Sequence, residues 1–165
     1  MRHDEFAPQE IMLIGVPGSG KSTYIGKLKA QNPDRDYVVL STDDVLELLG
    51  SEKGWDYSQA FKNIPFKKVQ AIFNTNFQQA VKDKKDIIID QTNLTVKSRA
   101  KKLNKLSKEY KKIAVVFNID ADEMKKRLDK RAAEGGKSIP QHVLDSMIGY
   151  YVPPSRSEFD EIRII

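Results

Sequence analysis

Nine consecutive residues restrict what this chain can fold into more than any others. Gly15-Val16-Pro17-Gly18-Ser19-Gly20-Lys21-Ser22-Thr23 fit the spacing G-x-x-x-x-G-K-[ST]. The apolar run Ile11-Met12-Leu13-Ile14 before them reads as a buried strand, and Tyr24, Ile25 and Leu28 after them fall at helical spacing to about Ala30. A glycine-rich turn between a strand and a helix aims backbone N–H groups, and the positive end of the helix dipole, at an anion. Gly15, Pro17, Gly18, Ser19, Gly20, Lys21, Ser22 and Thr23 are therefore the expected phosphate cradle for ATP. Lys21 would reach the β- and γ-phosphates, and the Ser22 hydroxyl would ligate Mg²⁺. The competing reading is a strand-to-helix turn that binds nothing.

The rest of the sequence predicts a matching architecture. Tyr37-Val38-Val39-Leu40, Ile87-Ile88-Ile89, Ile113 to Ile119 and Phe159 to Ile165 read as further strands. Short, wholly apolar strands separated by helices imply an α/β fold: a parallel sheet of about five strands with helices on both faces. Helices are expected after the glycine-rich turn, through Val45 to Leu49, from Phe66 to Val81, from Val96 to Tyr110, from Asp122 to Ala133, and from Pro140, as first helical residue, to Tyr151. Gly50 to Ser58 reads as a loop. No repeat interrupts this order, and 165 residues suit one domain. With no cysteine, disulfides and thiolate metal sites are excluded. The charged stretch Met1 to Glu10 does not resemble a signal peptide, and no apolar run is long enough to span a membrane, so a soluble cytoplasmic protein is expected. The excess of 28 Lys and Arg over 23 Asp and Glu suits a polyanionic partner, yet a nucleotide pocket plus solvated lysines would produce it too. Lys97, Lys101, Lys102, Lys105 and Lys108 read as a solvated helix face.

Ligands of open α/β sheets bind at the carboxyl ends of the strands. Two such ends carry carboxylates: Asp43-Asp44 after the second strand, and Asp90 in Asp90-Gln91-Thr92-Asn93 after the third. Phosphoryl transfer needs positioning, charge neutralisation and one group to take the nucleophile's proton. Asp43 is the candidate base, and Ser22, Asp43 and Asp90 are the candidate Mg²⁺ or Mg²⁺-water contacts. Either aspartate could instead be a helix cap, with Thr42 or Asp43 capping the helix that follows the second strand. Arg127 and Arg131, four residues apart, share one face of a helix, and Glu134 to Ser138 could form a lid over ATP. Arginines there can stabilise charge on a transferring phosphoryl group, although cations near a helix C-terminus favour its dipole anyway. His3 and His142 suggest neither a triad nor a metal centre, and His142 reads as a surface residue. Trp55, Phe61 and Phe66 could line an acceptor site, but core packing is the preferred reading.

Together these stretches resemble the kinase domain of the polynucleotide 5′-hydroxyl kinases, both the phage-type enzymes and the kinase half of the DNA-repair enzymes. Gly15 to Thr23, Asp43-Asp44, Asp90 to Leu94, Ser98-Arg99, Arg127 to Arg131, Ser138-Ile139-Pro140 and Met147 to Pro154 match in the family's order. The resemblance implies a stand-alone ATP- and Mg²⁺-dependent kinase acting on the 5′-OH of a DNA or RNA end. Lys21 and Ser22 would act on phosphate and metal, Asp43 as base, and Arg131 and Arg127 on the ATP phosphates. Asp90 matches the repair-enzyme form; the phage-type aspartate falls at Gln91. Phage members carry arginine where this chain has Thr42 and Leu46, and the second of those grips an acceptor phosphate. Lys53, Lys62, Lys67 and Lys68 are the expected substitutes. A small-substrate kinase, and a nucleic-acid-binding module that has lost catalysis, are the alternatives.

Overall fold

The computed structural model describes residues 7–117, 121–134 and 139–165. Expectations for His3, the far end of the strand at 113–119 and the 135–138 lid fall outside these residues. The described residues form a five-stranded sheet in which every neighbouring pair is parallel. The strands are β1 (Gln9–Ile14), β2 (Tyr37–Leu40), β3 (Asp86–Asp90), β4 (Lys111–Val116) and β5 (Glu161–Ile164), in the order β2-β3-β1-β4-β5. The continuous apolar runs have a simple cause: both faces of β1 are covered. Met12 and Ile14 pack under Phe73, Phe77, Ala80, Leu103 and Tyr110, whereas Ile11 and Leu13 pack under Leu28 and Phe117. Alternate residues of each strand thus leave water in opposite directions, each contributing roughly 1.5–3 kcal/mol.

The helices are α1 (Lys21–Gln31), α2 (Thr42–Glu52), α3 (Tyr57–Asn63), α4 (Phe66–Lys82), α5 (Val96–Leu103), α6 (Ala121–Ala133) and α7 (Gln141–Tyr150). Four of them differ from expectation. Helix α2 continues through Gly50 to Glu52, and because a Cβ at 50 would come within 2.6 Å of the Ala60 Cβ, the glycine there lets α3 pack close. Helix α3 occupies the supposed loop and starts with a capping box, in which Asp56 accepts from the Gln59 N–H and Gln59 accepts from the Asp56 N–H. Helix α5 stops at Leu103 instead of Tyr110, and Pro140 is the N-cap of α7 rather than its first helical residue. Among the described residues no helix is long and apolar enough to cross a membrane.

Since β1 pairs with β3 on one side and β4 on the other, the turn after β1 opens at the point where the strand order reverses. That is where open α/β sheets leave a crevice for ligands.

Candidate active site

The turn Gly15–Gly20 leaves β1 and delivers the chain into α1. Gly20 is the N-cap of α1 at φ 100°, and Gly18 lies at φ 85°. Both conformations are strained for a residue with a Cβ, and at Gly18 that atom would also sit 3.2 Å from Leu128. The loop is held from below. The Gly15 N–H donates to the Thr92 carbonyl (3.1 Å), and Asn93, at φ 51°, donates its amide to the Leu13 carbonyl (2.8 Å). Lys21 Nζ reaches the carbonyls of Gly15 (3.1 Å) and Gln91 (3.3 Å). Ser19 is buried, and its hydroxyl makes no hydrogen bond among the described residues. An orphaned hydroxyl in a glycine-rich turn at a helix N-terminus suits a phosphate oxygen.

Arg99 locks this floor in place. It is fully buried and donates to the carbonyls of Asn93 (3.0 Å) and Val152 (2.9 Å) and to both carboxylate oxygens of Glu158 (2.8 and 3.3 Å). The guanidinium fork thereby joins the loop after β3 to the segment after α7. Burial opposes the charge on Glu158, but the hydrogen bonds from Arg99 and Ser155 bring its carboxyl below the usual value.

The cleft over the loop measures about 1760 Å³ and brings the expected residues together: Pro17 to Thr23, Asp43, Asp44, Asp90, Arg127 and Arg131 all border it, while Gly15 lies buried at its base. Neither aspartate is a cap. Ser41 caps α2 by accepting from the Asp44 N–H (3.2 Å), and Thr95 caps α5 by accepting from the Ser98 N–H (3.1 Å). Asp43, in the first turn of α2, accepts a hydrogen bond from the Tyr57 hydroxyl (3.0 Å). Burial, then the Asp43 charge, pushes the Tyr57 phenol well up, so it stays a donor at neutral pH. Burial also raises Asp90, reinforced by Asp44 and Asp43 and opposed by Lys21 and Arg131. Burial and Asp43 raise Asp44. A cation would relieve this like-charge crowding. Among the described residues no three acidic or histidine side chains could hold a metal by themselves. The crowded carboxylates fit Mg²⁺, which keeps several waters and takes phosphate oxygens beside one or two protein ligands.

Helix α6 covers the loop from above, with Met124 and Leu128 packed against Val16. Arg127 pairs with Glu123 (3.3 Å) and reaches the Gly18 carbonyl (3.4 Å), and Arg131 lines the cleft one turn further on. His142 is exposed, as expected.

On the acceptor side three expectations fail. Leu46 does not face the cleft; it is buried with Ala60 and Val69 between α2, α3 and α4. Lys53, Lys62, Lys67 and Lys68 are exposed and do not line the cleft, whereas Lys101, Lys102 and Lys105, assigned to a solvated face, do. Lys102 turns inward to Asn93 Oδ1, and burial together with Lys105, Lys21 and Lys101 brings it down to about 8. Phe61 and Phe66 are 68% and 67% exposed rather than packed in the core; only Trp55 joins the cluster around Leu46. Sequence reasoning missed Tyr57, which touches Asp43, and gave Asn93, which supports the loop, no role of its own within Asp90-Gln91-Thr92-Asn93. The capping box around Tyr57 was the available signal for the first.

This fold and site define a P-loop kinase-like protein. A family profile for the AAA domain AAA_33 matches residues 11–154, and the chain belongs to that family. Over 156 residues it is 26% identical to human heterogeneous nuclear ribonucleoprotein U-like protein 2, covering 92% of this chain and 21% of the relative. The chain thus spans about a fifth of the length of the curated relatives it matches. A chain of the Pnkp1/Rnl/Hen1 RNA repair complex superposes with a TM-score of 0.68 at 24% identity, over 87% of this chain and 44% of that one. A gluconokinase from Sinorhizobium meliloti superposes with a TM-score of 0.57 at 13% identity, over 96% of this chain and 82% of that one.

Proposed function

We propose that this chain transfers the γ-phosphoryl group of ATP to a hydroxyl, and that the hydroxyl is the 5′-OH of a nucleic-acid strand. The observation that carries the reading is Asp43: a carboxylate not used as a cap, held by Tyr57, bordering the same cleft as the phosphate loop. Asp43 takes the proton of the acceptor hydroxyl as that oxygen bonds to the γ-phosphorus, and the bond to the β–γ bridging oxygen breaks to release ADP. Backbone N–H groups and Lys21 hold the phosphates, while Arg127 and Arg131 meet the charge spreading over the transferred group. Ser22, with Asp43 and Asp90 through water, would hold Mg²⁺, which neutralises phosphate charge when bound. The polynucleotide acceptor is supported by the motif order, by a fold shared with a chain of an RNA repair complex, and by a relative named as a ribonucleoprotein.

A small-substrate kinase is the second reading, favoured by Leu46 where the acceptor-gripping arginine would stand and by the gluconokinase fold. One experiment separates them: transfer of labelled γ-phosphate to 5′-OH DNA and RNA oligonucleotides, nucleosides and sugars. Label on the oligonucleotides is expected. Label on sugars or nucleosides alone would replace this reading with the second, and label on none would leave a binding module.

A further inference from the structure

Where α4 and α5 border the cleft they form an arm of it, and its two walls differ in chemistry. Helix α4 contributes Phe66, Gln70 and Asn74, four residues apart and therefore on one face. Phe66 borders the cleft and is left largely in solvent. Opposite stand Ser98, Lys101, Lys102 and Lys105, spaced as one face of α5 and the turn after it. Lys105 Nζ donates to Asn74 Oδ1 at 3.3 Å, so the two walls meet. On the third side α2 presents Asp43, Asp44 and Glu47. An anion entering this arm is repelled from α2 and drawn to α5. A sugar or free nucleoside without phosphate has no use for the lysines, whereas a nucleotide chain offers both phosphates for them and a base for the ring.

We infer that the α4–α5 arm is the track for a single-stranded acceptor, with Lys101 and Lys105 on the phosphates that follow the 5′-terminal nucleoside and Phe66 stacked on a base. The inference rests on the polynucleotide reading and adds the residues that select for it. Lys102 supports the track from beneath, committed to Asn93.

The test measures binding and transfer separately. A 3′-fluorescein 5′-OH oligonucleotide of about ten nucleotides is titrated against the full chain with ADP present, from low to high KCl. Each phosphate contact on a single strand contributes roughly 0.7 to the slope of log K against log salt, so Lys101→Gln with Lys105→Gln should flatten it by about 1.4. The Lys101→Arg, Lys105→Arg pair should restore it, which a purely structural role would not require. Phe66→Ala should weaken binding roughly fivefold to a hundredfold with the slope unchanged. Wild-type transfer to oligonucleotides with unaltered slope, affinity and KM in these variants would overturn the track and leave the proposed function standing. Salt-sensitive binding that the variants lose, without transfer to any acceptor, would do the reverse. Preference for a phosphate-free acceptor would overturn both.

Discussion

The two ends of the cleft are built by different means. At the nucleotide end the groups that meet phosphate are mostly backbone, on one contiguous turn shaped by Gly18 and Gly20 and floored by Thr92 and Asn93. At the proposed acceptor end the cleft is lined by side chains borrowed from α2, α3, α4 and α5, meeting across gaps of 14 residues for Tyr57–Asp43 and 31 for Lys105–Asn74. A backbone cradle tolerates little change and fixes one ligand class. A side-chain wall can be rewritten residue by residue without disturbing that cradle.

Asp43→Asn is the sharpest way to divide the ends. The amide can still accept from Tyr57 but cannot take a proton, so transfer should fall by about 10²–10⁴ while the ATP-dependent rise in melting temperature persists. Lys21→Ala should cost on the order of 10²–10³ in transfer and also shrink the ATP-dependent thermal shift, since it strips the shared phosphate contact. Losing that shift in Asp43→Asn, or keeping it fully in Lys21→Ala, would erase the division.

Leu46→Arg tests whether the acceptor end can be repaired at the position the resemblance suggests. Leu46 is buried, so the arginine should destabilise the fold by roughly 3 kcal/mol or more in urea denaturation, with no gain in oligonucleotide KM. A stable variant with improved KM would place Leu46 at the cleft after all. Tyr57→Phe removes one hydrogen bond from Asp43 and should lower kcat about fivefold, with ATP binding unchanged.

The smallest effect should come from outside both ends. Glu10 on β1 is fully buried, its carboxylate oxygens make no hydrogen bond among the described residues, and burial raises its carboxyl well above the usual value despite Lys112 and Lys102. A carboxyl raised by folding stabilises the protein below its unfolded value and loses that contribution as pH rises through the folded one. Glu10→Gln should therefore raise the melting temperature by roughly 3 °C at pH 7, with the gain fading toward pH 4. An equal gain at both pH values would assign the effect to packing alone.

The same contrast decides what could be read from the sequence. The phosphate loop and the central strands were legible because each is contiguous and its pattern has one physical meaning. Strand β4 was entered late because Lys111 and Lys112 precede its apolar run; they belong to the strand because Glu161 and Asp160 meet them across β5 and its approach. Gly50 read as a helix stop because its reason, the close approach of Ala60, lies ten residues on. In α2, Val45, Leu46, Leu48 and Leu49 surround the helix, so the pattern cannot tell that Leu46 turns inward while Leu48 faces water. Lys101, Lys102 and Lys105 looked like solvated charge because nothing local announces α4 opposite.

Arg99 gives the site a chronology. It precedes the carboxylate that clamps it by 59 positions, and Val152, its other distant partner, by 53. A chain emerging from its N-terminus thus carries the phosphate loop, all three aspartates and the lysine track well before it carries the groups that neutralise and seat this buried cation. Until they arrive, an unpaired guanidinium has every reason to remain in water, and the loop after β3 lacks its anchor. The motif thus precedes in the chain the partners that anchor its floor.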